Sequence, residues 1–317
     1  MRVLVTGAAG FLGRGLIGAL LDDRSGRPPV DHVLAADAVP CPVRDRRVVT
    51  RTGDIADPAF AASLFEREVD LVHHLAAVVS GEAEADFDRG LHVNVDGTRT
   101  LLDACRSLRT PPRVVFASTI AVFGGRLPDV VPPDFWPRPQ SSYGAEKIIG
   151  EVLVAEYTRR GFVDGIAVRL PTVAVRPGRP NAALSSFVSG IIREPLAGID
   201  TVCPVPLDTR LWICSPGIAT ANLAHAGTLA AAALDGDPLV NLPGLTVTPG
   251  EMLDALERVG GRAARARVRC EPDARVTRIV GSWAGALDPA RARRLGFHVD
   301  RDVDAVIAQF VRSAAST

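Results

Sequence analysis

Tyr143 and Lys147 lie four residues apart in SSYGAEKIIGE, a stretch with helical patterning, so both side chains leave one face of a helix. A phenol beside an ammonium is a proton-transfer pair. The positive charge favours the phenolate, and Tyr143 is expected to exchange a proton with a substrate hydroxyl near neutral pH. Composition sharpens this reading, because Lys147 is the only lysine among 36 basic residues and Tyr143 is one of two tyrosines. Chance would place that lysine four after a tyrosine roughly once in 150 such sequences. The competing account is an ordinary i,i+4 pair on a helix surface. Ser118 and Thr119 follow the apolar run RVVFA. At the carboxyl end of a parallel strand a hydroxyl can hold a substrate oxygen for Tyr143, although the same residue types also cap turns.

These residues need a scaffold, and the first half of the chain supplies a pattern for one. Short Val, Ile and Leu runs at Arg2 to Thr6, His32 to Asp37, Val48 to Thr50, Leu71 to His74, Arg113 to Ala117 and Gly165 to Arg169 read as strands covered on both faces. Between and after them, Phe11 to Leu21, Pro58 to Glu66, Asp88 to Ser107, Ser142 to Arg160 and Thr220 to Leu234 carry helical periodicity. The alternation predicts an α/β fold, a doubly wound parallel sheet. After Pro171 the texture changes to Pro- and Gly-rich loops, a strand near Asn241 to Val247, a helix from Pro249 to Val259 and a mixed tail. Residues 1–170, with 212–236 returning to them, are therefore expected to form one domain, and 171–211 with 237–317 a smaller α+β lobe. The Pro-dense segment from Pro128 to Pro139 holds Phe135 and Trp136, so it reads as a structured loop.

VLVTGAAGFLG places Gly7, Gly10 and Gly13 in the turn between the first strand and its helix. There the first glycine permits a tight turn, the second lets backbone approach a pyrophosphate, and the third packs helix on strand. The helix N-terminus then presents free N–H groups to phosphate. This is a Rossmann-type dinucleotide site. Asp37 ends the second strand, where a carboxylate accepts from the adenosine 2'-hydroxyl and repels a 2'-phosphate, so NAD is expected over NADP. Asp54 and Ile55, in TGDIAD, stand where an adenine could be bracketed.

Bulk composition excludes other classes. With 36 basic and 36 acidic residues the net charge is zero, which lacks the footprint of a nucleic-acid or anionic-membrane binder. Five scattered cysteines without a CxxC pair argue against a disulfide framework and a zinc site, and suit a reducing cytoplasm; no metal is expected. No secretory signal fits the N-terminal run, and the longest apolar stretch, Leu223 to Leu234, is too short to span a bilayer.

The ordered set TGAAGFLG, Asp37, GDIAD, HLAA at His74 to Ala77, VNVDGT with Asn94, ASTIAVFGG and YGAEK resembles the extended short-chain dehydrogenase/reductase family, also known as the NAD-dependent epimerase/dehydratases, across almost the whole chain. The resemblance implies a Rossmann domain binding NAD, a C-terminal substrate lobe, and a catalytic set of Tyr143, Lys147 and Thr119 with Ser118 beside it. It implies cofactor contacts from Gly7, Gly10, Phe11, Leu12, Gly13, Asp37, Asp54, Ile55, Leu75, Ala76, Ala77, Asn94, Tyr143, Lys147, Pro171, Thr172 and Val173, with Lys147 on the nicotinamide ribose. Phe123 stands where many members carry tyrosine. The stretch from Val175 to Gly198 is similar to the subgroup that oxidises the four-carbon sugar acid D-erythronate at C2. On that likeness Arg176, Arg179 and Arg193 are candidates to hold a carboxylate, with Asn181, Ser185 and Ser186 for hydroxyls. Arg210 matches a position that grips acid groups, and Ser80 borders the substrate. A homodimer through the two long helices is implied as well. Two rivals remain: a nucleotide-sugar 4-epimerase or dehydratase with tightly held NAD, and a cofactor-sensing regulator, which would be expected to have lost Tyr143 and Lys147.

Overall fold

The run RVLVT is buried from its second residue on and forms β1 (Arg2–Thr6). In this computed structural model, which describes residues 1–22, 27–178 and 183–315, the chain continues as α1 (Phe11–Leu21), β2 (His32–Asp37), β3 (Val48–Thr52), α2 (Pro58–Ser63), β4 (Leu71–His74), α3 (Ser80–Ala85), α4 (Phe87–Gly90), α5 (Gly97–Cys105), β5 (Arg113–Thr119), α6 (Ser142–Arg159) and β6 (Asp164–Leu170). There follow β7 (Thr172–Val173), α7 (Ser186–Leu196), β8 (Thr201–Cys203), β9 (Leu211–Cys214), α8 (Pro216–Ala226), β10 (Leu239–Asn241), β11 (Leu245–Val247), α9 (Pro249–Arg265), β12 (Val268–Cys270), α10 (Ala274–Val280), α11 (Ala290–Arg294) and α12 (Val303–Ala315).

The chain divides into two units. The first comprises Met1–Thr119, Ser141–Arg169 and Thr220–Val240. It is built on a seven-stranded sheet of order β10-β6-β5-β4-β1-β2-β3, with β3, β2, β1, β4 and β5 parallel to their neighbours. The order reverses between β1 and β4, and in such sheets the crevice at the carboxyl ends of those two strands receives the ligand. Leu4, Ala36, Val72, Val114 and Phe116 from four strands share one core with Leu64, Phe65, Leu101, Leu102 and Val154. Helix starts follow local chemistry: Asp57 caps α2 ahead of Pro58, and Ser141 accepts from Gly144 N–H to start α6.

The second unit comprises Ile120–Gln140, Leu170–Ala219 and Asn241–Thr317. It holds the three-stranded sheet β11-β9-β7 and the pair β12-β8, and its core gathers Val188, Ile191, Ile192, Ile213, Met252, Leu253, Leu256 and Ile307. Thr248 and Glu251 form a reciprocal cap at the start of α9. The Pro-dense segment groups with this unit and not with the first, because Val131 bridges to Leu287 and Phe135 packs on Phe123.

Three elements depart from expectation. The helix read from Asp88 to Ser107 is interrupted by a π-helical turn, Leu91–Asp96, whose Asn94 is buried. The helix read from Thr220 to Leu234 starts earlier and ends at Ala226, ahead of Gly227, a poor helix former, and Ala231–Leu234 form a separate 3-10 turn. The strand read over Asn241 to Val247 is split into β10 and β11 across Pro243 and Gly244.

One buried group in the first sheet costs stability. His73 on β4 is fully buried, neither ring nitrogen has a partner, and burial together with Arg27 and Arg113 pushes its pKa down to about 3. Below the ordinary value of 6.5 the unfolded chain takes up a proton that the folded chain refuses, so stability present above that pH is lost as the pH falls toward 3. His73→Leu removes an unpartnered polar group worth about 1–3 kcal/mol at small packing cost. Urea unfolding should show it at least as stable as the parent at neutral pH and more stable in mild acid; a loss under both conditions contradicts this.

Candidate active site

Gly7 adopts a positive φ of 69°, and a Cβ there would stand 2.7 Å from the backbone of Leu75 and Ala76. Only glycine lets the β1 turn lie this close to the loop after β4. A Cβ on Gly13 would meet Gly7 O at 2.2 Å, so that position packs α1 onto the turn. Gly10 differs: its only neighbour within reach of a Cβ is Gly7 O at 3.1 Å, and it is exposed. It is also the N-cap of α1 and supplies no side-chain acceptor, which leaves the first-turn N–H groups of Phe11, Leu12 and Gly13 open to an anion. Asp37 Oδ2 accepts from Ala9 N–H at 2.9 Å, tying the end of β2 to the glycine turn. This cradle fits a pyrophosphate with its ribose beside Asp37. Asp37→Asn is expected to weaken NAD about tenfold or more, by loss of a charge-assisted hydrogen bond, and to relieve the exclusion of NADP. Calorimetric titration with both dinucleotides checks this, and unchanged preference contradicts it.

Asp54 is half-exposed and accepts from Ala56 N–H at 2.9 Å, while His92 Nε2 lies 2.8 Å from Oδ2. That hydrogen bond holds its carboxyl below the usual range. Ile55 is buried in the core. Behind the loop Leu75–Ala77 runs a relay. Ala76 N–H donates to Thr6 Oγ1 (3.2 Å), which lies 2.7 Å from His74 Nδ1; His74 Nε2 lies 3.0 Å from Thr98 Oγ1, which donates to Asn94 O (2.7 Å). Because Thr98 spends its proton on Asn94, His74 must carry its own on Nε2 and accept at Nδ1. Burial pushes the His74 pKa down to about 3, so the ring stays neutral and the relay is fixed.

Asn94 is saturated. Its Oδ1 accepts from Val78 N–H (2.9 Å), and its Nδ2 donates to Val78 O (3.2 Å) and to Glu146 Oε2 (2.6 Å). Glu146, between the two candidate catalytic residues in sequence, is itself buried with Oε1 unpartnered, and burial raises its pKa. A side chain on Gly90 would strike that oxygen at 2.3 Å.

Tyr143 is half-buried and Lys147 buried on α6. The Lys147 ammonium stands 4.8 Å from the Phe116 ring centre and 5.7 Å from that of Tyr143, with no hydrogen-bond partner among the described residues. The expectation that Lys147 brings the phenol into the neutral range is not met in the protein alone. Burial, with the Glu146 charge adding to it, pushes the Tyr143 pKa up to about 12, and burial brings Lys147 down to about 8. The physical reason is that low polarity disfavours both charged forms, and the ammonium lies over the ring face rather than on the hydroxyl.

Thr119 ends β5 and is half-buried. Ser118 is not available as a free hydroxyl: it is buried and donates to Glu151 Oε1 at 2.5 Å. Glu151 also receives Arg169 Nε at 2.8 Å and Nη2 at 2.6 Å, a bidentate ion pair with both partners buried. Ser80 is the first residue of α3 and half-buried.

Pro171, Thr172, Val173, Arg176, Ser185 and Arg210 belong to the second unit; Arg179 and Asn181 lie outside the described residues. Thr172 and Val173 form β7 beside β9. Arg193 is spent, donating to Arg176 O (2.8 Å) and to Glu194 (2.5 Å), which removes it as a carboxylate clamp. Arg176 keeps a buried Nη2 without a partner, and burial beside Arg193 lowers its pKa. Ser185 precedes α7 without capping it, and Arg210 is exposed against Gly285. Phe123 is buried against Phe135, a packing role.

The profile of the NAD dependent epimerase/dehydratase family matches residues 3–227. The chain belongs to that family. Among similar proteins, D-erythronate dehydrogenase of Cupriavidus necator is 50% identical over 320 residues, 99% of each chain, and D-erythronate dehydrogenase of Haemophilus influenzae is 42% identical over 98% of this chain and 99% of its own. A crystal structure described as a nucleoside-diphosphate-sugar epimerase from Agrobacterium tumefaciens superposes with a TM-score of 0.94 at 41% identity, covering 100% of this chain and 95% of that one.

Within this epimerase/dehydratase scaffold, several residues that hold the site together were not singled out from sequence. Glu146, Glu151, Arg169, Thr98 and His92 carry no local signal of their own; each matters through a partner 18 to 52 positions away in the chain, such as Arg169 for Glu151 and Glu146 for Asn94. The i,i+4 spacing of Lys147 and Glu151 on the same helix was the one available hint.

Proposed function

We propose that the protein oxidises D-erythronate at C2 to 2-dehydro-D-erythronate, with NAD as acceptor. The observation that carries this reading is the full-length 50% identity to a D-erythronate dehydrogenase. Bound NAD would supply the acceptor for the hydride that leaves C2. The chain's residues position and handle the proton: Thr119 orients the C2 hydroxyl, Tyr143 takes its proton, and Lys147 holds the ribose and favours the phenolate. Ser118 acts through Glu151 and Arg169 as a positioning residue. Gly7, Gly10, Gly13 and Asp37 hold the dinucleotide, with Asp54, Ile55, Leu75, Ala76, Ala77 and Pro171 to Val173 as further contacts. Of the arginines, Arg176 is assigned to the substrate carboxylate because it alone among Arg176 and Arg193 retains an unspent buried N–H. Ser80, Arg179, Asn181, Ser185 and Arg210 complete the assignment from the family pattern.

The Tyr143–Lys147 pair also fixes a pH dependence. Before Tyr143 can accept a proton the coupled pair must lose one, and the pair that has lost one reacts with its remaining proton on Lys147 and the phenol ionised; its population grows through the value of the more acidic member, Lys147 at about 8. The kcat/KM for oxidation should therefore climb as pH rises toward about 8 and then level off. Lys147→Met should move the rise upward, toward the value of the phenol alone; a profile flat across neutral pH contradicts the assignment.

A second reading, interconversion of a nucleotide sugar, is favoured by the epimerase name of the 41% identical structure. Net NADH formation separates the two, because an epimerase returns the hydride within each turnover. The protein is further assigned as a cytoplasmic homodimer. Its five cysteines are unpaired, and Ile149 and Val152 leave apolar surface exposed on α6.

A further inference from the structure

A cavity of about 290 Å³ opens in the first unit at the β3 edge of its sheet, away from the glycine turn. Arg2 and His32 are register partners at the amino ends of β1 and β2, whereas Gly7 and Asp37 follow or end the same strands at their carboxyl ends. Arg51 of β3 stands two residues along from Val49, the partner of Leu34, so its side chain shares the face that carries Arg2 and His32. Arg67, beyond the end of α2, also lines the cavity, with Glu66 as the one carboxylate in the lining.

The charges here are unbalanced. Among the described residues none of the three guanidiniums enters an ion pair. Arg2 Nε is buried without a partner, and the only side-chain hydrogen bond of Arg51 is a long one to Thr50 O at 3.4 Å. Three cations facing one carboxylate in a small cavity repel one another, and burial first, then Arg2, Arg67 and Arg51, hold the His32 pKa below its ordinary value. Among the described residues, Glu66 is the one carboxylate that lines the cavity with them. A single carboxylate would leave two guanidiniums uncompensated. A phosphate group carries close to two charges and three acceptor oxygens, and its geometry matches the planar guanidinium fork.

We infer that this cavity is a binding site for a small phosphate-class oxyanion, gripped by Arg2, Arg51 and Arg67 with His32 behind them. Nothing in the proposed dehydrogenase chemistry uses these residues, so the site is a second one, open to inorganic phosphate or to the phosphoryl group of a small ester.

The test is calorimetric titration of the protein with inorganic phosphate and, separately, glycerol 3-phosphate. NAD is kept saturating so that the glycine turn is filled, and sodium chloride matches the ionic strength. Saturable binding of either is expected, weakened about tenfold in Arg51→Gln and again in Arg67→Gln, one charged hydrogen bond each. Both side chains are exposed, so the variants keep the fold and the parental NAD affinity. Preference for one titrant identifies free phosphate or an ester as the source. The His32 ring signal in proton NMR should titrate at higher pH once the anion is bound. No saturable binding of either phosphate, binding of citrate alone, or equal affinity in the arginine variants overturns the inference.

Discussion

Tyr143→Phe is expected to lower the turnover of D-erythronate by about 10²–10⁴-fold while NAD affinity stays close to that of the parent. The substitution removes one oxygen from a half-buried ring whose hydroxyl has no hydrogen-bond partner among the described residues, so the packing under Lys147 is retained. What disappears is the only group on this face of α6 that can take a hydroxyl proton. Glu146 faces Asn94 instead, and Lys147 is required as the cation. Steady-state kinetics with a separate dinucleotide titration distinguish this from a folding defect, and near-parental turnover would remove Tyr143 from the mechanism.

Arg169→Leu is expected to destabilise the protein by about 3–5 kcal/mol, a large share of the stability of a folded domain. Glu151 would keep its buried charge and lose both guanidinium contacts, retaining only the Ser118 hydroxyl. The double variant Glu151→Leu/Arg169→Leu removes both charges and should recover much of the loss, because the desolvation of the pair offsets its attraction. Denaturant unfolding of the single and double variants measures the difference. A single variant as stable as the parent would show that the buried pair holds nothing in place. Since Ser118 directly precedes Thr119 at the end of β5, the same network fixes the strand end that presents Thr119.

The sheet was legible in the sequence because most of its strands are buried on both faces and read as apolar runs, and all six expected strands begin and end within two residues of their observed bounds. The glycine turn was legible for a related reason: Gly7 and Gly13 fill positions where backbone clashes exclude any side chain. The π-helical turn around Asn94 was not. Helical patterning does not distinguish a single π turn from α-helix, and here that turn carries the buried Asn94, which donates to Glu146. Ser118 looked like a catalytic hydroxyl because sequence gives its position on β5 but not its face, and alternation along a strand turns it inward to Glu151. The lysine count marked Lys147 as an exceptional position, and the structure shows it buried. The count said nothing of burial, which decides the Tyr143 and Lys147 titrations.

Incubation of the purified protein with NAD and D-erythronate, followed by NADH absorbance, tests the central claim most directly. The account expects NADH to accumulate with substrate until equilibrium, with threonate, glycerate and UDP-sugars clearly poorer. Absence of NADH from every four-carbon acid, together with interconversion of a UDP-sugar without net NADH, would contradict it.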